Sequence, residues 1–197
     1  MLQKQFWKPA DLAKHLQEIA SQRYPTLNLD DVIKNNVYFI TINFNRESIT
    51  RNSSYTAVVD ETAKWFRRLS KEAFGKHIER VTELQPLGYI FADFDGTRQS
   101  GGRGGYGLTT GFPHVHGVLL IMPDKGQEFR RVLLSDGFKK TTTIRDVEIK
   151  QFDPDQGSLT NLMSYCMKGY QALPPTLADR EEAMTILPRL QPKSQKR

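Results

Sequence analysis

Apolar and polar positions alternate most cleanly over Val37-Tyr38-Phe39-Ile40-Thr41-Ile42-Asn43-Phe44. Tyr38, Ile40, Ile42 and Phe44 share one face, and Val37, Phe39, Thr41 and Asn43 share the other, so this stretch predicts a strand. Residues 87–95, Leu-Gly-Tyr-Ile-Phe-Ala-Asp-Phe-Asp, predict a second strand with Asp93 and Asp95 on one face at its carboxyl end. The run from Pro113 to Ile121 predicts a third, entered through a proline and continuing as Val, Leu and Ile. Residues 145–152 alternate again and predict a fourth. Between the strands the period changes. Leu12, Leu16, Ile19 and Ala20 mark an amphipathic helix over 9–24 that packs on the main domain. Val58, Thr62, Trp65, Phe66, Leu69 and Ala73 mark another, ended by Gly75. A short helix is predicted at 129–134. A longer one covers 159–171, its buried stripe carried by Leu159, Leu162, Met163, Cys166 and Tyr170. Pro174-Pro175 stops it, and residues 176–197 read as a short helix with a basic, mobile tail. The fold class is therefore α+β. The divisions expected are a helical extension over 1–34, a main domain over 35–173 and a carboxyl-terminal segment over 174–197.

Composition narrows the class of partner. The 197 residues carry a formal net charge of +6, and the pI of about 9.4 favours a polyanion such as nucleic acid. No apolar run reaches membrane-spanning length, and Met1 to Trp7 lack the apolar core of a secretory signal. A single cysteine, Cys166, excludes an internal disulfide framework and fits a reducing compartment. The expectation is a cytoplasmic protein with no membrane association.

Candidate chemistry gathers in three places. His114 and His116 flank Val115 on the third strand, so both imidazoles leave the same face. A polar strand end with two solvated histidines is the commoner meaning of such a pair on its own, because short motifs match by chance. Hairpin pairing with the 87–95 strand brings Asp93 or Asp95 towards the histidines, and two imidazoles with a carboxylate suit a divalent cation. A Gly-rich loop over 96–111, containing Arg98 and Arg103, joins the two strands. On the 159–171 helix, Tyr165 and Lys168 lie off the apolar stripe, one turn apart.

Taken together, Phe39-Ile40-Thr41-Ile42-Asn43, His114-Val115-His116 and Tyr165-Cys166-Met167-Lys168 resemble the motifs of the HUH endonucleases. The likeness is to the single-tyrosine replication initiators (Rep proteins) of rolling-circle plasmids, single-stranded-DNA viruses and phages. It spans roughly residues 37–171, and it is the order and context of the three motifs that carry it. It implies a central antiparallel sheet flanked by helices, in a ferredoxin-like or RRM-like arrangement. It also implies that His114, His116 and an acidic residue, Asp93 in preference to Asp95, hold Mg²⁺ or Mn²⁺. Tyr165 would attack a DNA phosphodiester, leaving a 5′-phosphotyrosine and a free 3′-hydroxyl, and Lys168 would offset the charge. Thr41, Asn43, Arg98 and Arg103 would contact DNA. The implied partner is single-stranded DNA at a replication origin, in some cases a hairpin, with host helicase and polymerase acting alongside in a bacterial cell. Many family members use Glu where this chain offers Asp, and no helicase domain follows, which suits a bacterial plasmid or phage initiator or an excised nuclease domain. Tyr170, on the core stripe, is not expected to act.

Three other classes compete. A single-tyrosine transposase would share metal and tyrosine but usually lacks Tyr-x-x-Lys. An RRM-like binding module would stack bases on exposed sheet aromatics, for which Phe39 is the one obvious candidate. A cupin-like or facial-triad iron enzyme would want a further ligand soon after His-x-His, and Gly117 to Ile121 supply none.

Overall fold

A computed structural model of the chain describes residues 7–45, 55–78, 85–94, 113–172 and 183–188. Asp95, Arg98, Arg103 and the Gly-rich loop lie outside the described residues. The elements in order are α1 (Pro9–Arg23), α2 (Leu29–Asn36), β1 (Val37–Phe44), α3 (Tyr55–Phe74), β2 (Leu87–Phe94) and β3 (Pro113–Leu120). They are followed by α4 (Gly126–Leu133), α5 (Asp136–Lys139), β4 (Ile144–Gln151), α6 (Leu159–Cys166), α7 (Lys168–Ala172) and β5 (Met184–Leu187).

The strands form one antiparallel sheet in the order β4-β1-β3-β2-β5. From β1 to β4 the succession is βαββαβ, with β3 inserted between β1 and β2 and antiparallel to both. This is the split βαβ of ferredoxin-like folds. The sheet is thus central and flanked by helices, the α+β arrangement expected.

The two faces of the sheet differ. Tyr38, Ile40, Ile42 and Phe44 of β1 lie beside Val115, Gly117 and Leu119 of β3 and Ile90 and Ala92 of β2. All of these side chains are buried. Helices α3 and α4 cover them. The Arg130 guanidinium lies 5.8 Å from the Tyr38 ring centre, and the buried Trp65 indole donates to the Phe138 carbonyl at 2.9 Å. Gly117 keeps the centre of this face dense. A Cβ there would lie 2.6 Å from Ile90 Cδ1 and 3.1 Å from Ile40 Cγ1, so the strand next to the histidines has room only for hydrogen.

The opposite face carries Phe39, Thr41 and Asn43, with His114 and His116, and with Tyr89, Phe91 and Asp93. Helices α1, α6 and α7 lie on it. Leu12 and Leu16 of α1 are fully buried in the same apolar cluster as Leu159 and Met163 of α6. His15 Nδ1 and the Tyr89 hydroxyl are hydrogen-bonded at 2.7 Å. Burial holds the Tyr89 phenol well above the usual tyrosine range. The amino-terminal helix is therefore packed against the elements that carry the candidate site.

Three local expectations are revised. The predicted helix over 159–171 is two helices: Met167, at φ −82° and ψ 1°, ends α6, and α7 resumes at Lys168. Helix α2 was not foreseen, although its signals are present: the Asn28 side chain accepts from the amides of Asp30 and Asp31, and both acids sit in the first turn. Met184–Leu187, within the stretch expected to carry a short helix and tail, is an edge strand paired with Gly88–Phe91. The free edge of β2 supplies hydrogen-bond partners that local sequence cannot announce.

Candidate metal centre

Strand register assembles the site. Asp93 faces His114 across the β2–β3 ladder, and Asn43 and Thr41 face His114 and His116 across the β1–β3 ladder. Directly opposed residues share a face of the sheet, so the carboxylate and both imidazoles converge. Asp93 Oδ2 lies 3.5 Å from His114 Nε2 and 3.8 Å from His116 Nε2. The side chains of His114, His116 and Asp93 are only 12%, 8% and 10% exposed. One donor atom from each falls within 4.8 Å of the others. With metal–ligand bonds of ~2.1 Å, neighbouring ligand atoms stand ~3–3.5 Å apart, so a small contraction closes this group around one cation. Asp93, His114 and His116 could hold a metal ion.

The hydroxyl of Thr41 lies 3.1 Å from His116 Nδ1. That contact turns Nε2 towards Asp93. A metal on Nε2 leaves the proton on Nδ1, which then donates to the Thr41 oxygen, the usual support for a ligating histidine. Thr41, expected to face DNA, thus has its hydroxyl engaged in orienting a ligand. Asn43 sits beside it, opposite His114 and half-buried.

Tyr165, near the end of α6, is 46% exposed. Its ring centre is 5.3 Å from that of His116 and 5.5 Å from that of Phe39, which itself stacks on His116 at 5.7 Å. Tyr170 is the opposite case. It is buried, with its ring edge-on to Phe91 at 6.0 Å. Tyr170 is buried and Tyr165 exposed, as expected, but the two stand on different helices rather than on opposite faces of one. Lys168 is exposed at the start of α7.

Two residues near the site, Lys150 and Gly169, were not singled out by sequence. Phe39, noted in the sequence as a base-stacking candidate, packs against both His116 and Tyr165, which also pack on each other. Lys150 of β4 lies opposite Phe39. Glu148, 2.9 Å from its ammonium, raises the Lys150 pKa, and the Tyr165 oxygen acts in the same direction. Gly169 of α7 stands directly against Asp93. Alternation over β4 could have revealed Lys150 once the strand order was known; nothing in the sequence marks Gly169.

Comparison of the chain with protein-family models, with curated proteins and with solved structures yields no match. The functional reading therefore rests on the residues and their geometry. Among the described residues, no helix is long and apolar enough to cross a membrane.

Proposed function

We propose that the protein is a metal-dependent endonuclease and strand transferase of the HUH type, acting on single-stranded DNA at a replication origin through Tyr165. One observation carries the reading: a half-exposed tyrosine ring lies 5.3 Å from a histidine that belongs to a buried His₂Asp group. A tyrosine serving only as surface has no reason to stand at the mouth of such a group. The net charge of +6 supports a polyanionic substrate.

In this reading Asp93, His114 and His116 hold Mg²⁺ or Mn²⁺, which when bound draws charge from the phosphate oxygens. Tyr165 Oη bonds to phosphorus and its proton passes to water. The bond from phosphorus to O3′ breaks, and O3′ takes up a proton. The 5′-phosphate stays on the tyrosine, so the phosphodiester energy is kept for rejoining. Lys168 and Lys150 add positive charge near the phosphate. Thr41 keeps His116 in register, and Phe39 restricts the Tyr165 ring. Initiation of rolling-circle replication of a plasmid or phage is the process this chemistry suits, with host helicase and polymerase extending the released 3′-end.

The His₂Asp set alone also suits a non-haem iron site; the adjacent Tyr165 is what favours phosphoryl transfer. The test is incubation with a panel of single-stranded oligonucleotides and Mn²⁺, followed by denaturing electrophoresis. A protein–DNA adduct is expected from the wild type and from Tyr170→Phe, and none from Tyr165→Phe. An adduct peptide mapped to Tyr170, or a full adduct from Tyr165→Phe, overturns the assignment. Binding should also weaken steeply with salt, since phosphate contacts release counterions.

A further inference from the structure

Gly169 has no conformational need to be glycine. Among the described glycines only Gly75 and Gly157 have positive φ, so the backbone at 169 is one that alanine adopts freely. Alanine is also the better helix former. What glycine supplies there is space. A Cβ at this position would lie 2.5 Å from Asp93 Oδ1, 2.8 Å from Cγ and 3.2 Å from Cβ. The backbone of α7 thus rests against Oδ1, Cγ and Cβ of Asp93, while Oδ2 is the oxygen nearest His114 and His116.

We propose that Gly169 is a positioning residue for the metal centre: its missing side chain lets α7 press Asp93 into the rotamer that completes the His₂Asp group. The inference rests on the metal-site reading given above. A methyl group at 169 overlaps two atoms of the carboxylate, and Asp93 is buried on its other sides. The cheapest relief is rotation about its side-chain bonds, which takes the carboxylate out of the orientation that sets Oδ2 3.5 Å and 3.8 Å from the two Nε2 atoms. The first consequence is then lost metal affinity rather than a lost fold.

Four proteins test this: wild type, Gly169→Ala, Asp93→Ala and the double variant. Mn²⁺ binding is followed by the electron paramagnetic resonance of the free ion, and melting temperature is measured without metal. Gly169→Ala is expected to bind Mn²⁺ about 10–100-fold more weakly than wild type, the range typical for removing support of a ligand. It should lower the melting temperature when Asp93 is present. In the Asp93→Ala background the overlaps at 2.5 and 2.8 Å vanish, and Gly169→Ala should be neutral or stabilising. Unchanged Mn²⁺ affinity in Gly169→Ala overturns the proposal, and so does an equal loss of stability in both backgrounds. If Gly169→Ala does not fold, recovery of folding in the double variant supports the coupling and failure to recover refutes it. A wild type that binds no Mn²⁺ sinks the metal reading itself, and the contact between Gly169 and Asp93 is then judged by the melting temperatures alone.

Discussion

The two faces of β1, β2 and β3 are made from the same stretches of chain, one residue out of phase, and they serve opposite ends. On one face Ile40, Ile42, Val115 and Ile90 are fully buried under α3 and α4, around a glycine with no room for a methyl. On the other, Thr41, Asn43, His114, His116 and Asp93 put polar groups where another Val or Ile would pack better. Burying such groups is costly unless they are paired, and four of them are paired with each other: Thr41 with His116, and Asp93 with both histidines. The dry face supplies the stability that allows the polar face to keep a ligand geometry instead of a packing optimum.

This contrast can be broken most severely on the dry side. Ile40→Ala removes a fully buried side chain and should cost ~2–5 kcal/mol, seen as a lower midpoint in urea, while Mn²⁺ still binds to the folded fraction. An Ile40→Ala loss below about 1 kcal/mol would show that this face is not the structural one. His116→Ala reverses the pattern. It should cost about 1–2 kcal/mol through the lost Thr41 contact and its unpaired hydroxyl, yet abolish metal binding and adduct formation. Should it cleave DNA normally at limiting Mn²⁺, the metal lies elsewhere.

Thr41→Val sharpens the comparison without touching a ligand. It removes the oxygen 3.1 Å from His116 Nδ1 and keeps the shape. Mn²⁺ affinity should drop about tenfold, with stability altered by at most about 1 kcal/mol; titration of both proteins at one pH decides. Tyr165→Phe should have the smallest effect on folding, within about 0.5 kcal/mol for an exposed hydroxyl, while ending adduct formation. Its sequence neighbour Cys166 gives the control. The thiol is buried and burial raises its pKa far above the usual range, so it should resist thiol reagents at neutral pH until the protein unfolds. Rapid labelling of Cys166 in the native protein would mean that α6 is not seated as described.

Sequence by itself determined much of this arrangement, wherever the information is local. The period-two alternation in β1 assigned Thr41 and Asn43 to one face and Ile40 and Ile42 to the other. The Val between His114 and His116 put both imidazoles together, and the helical stripe through Leu159, Met163 and Cys166 left Tyr165 out. Each of these follows from side-chain direction in a regular element, and that direction is a property of a few consecutive residues. Tertiary structure alone decided the rest. Pairing of Asp93 with His114 depends on the register between two strands joined by a long Gly-rich segment, and register is set by which faces bury together. The break at Met167, the strand at Met184–Leu187 and the seat of Gly169 on Asp93 are likewise contacts between residues far apart in the chain. No local pattern encodes them, because each is a choice among packings that only the assembled core makes unequal in energy.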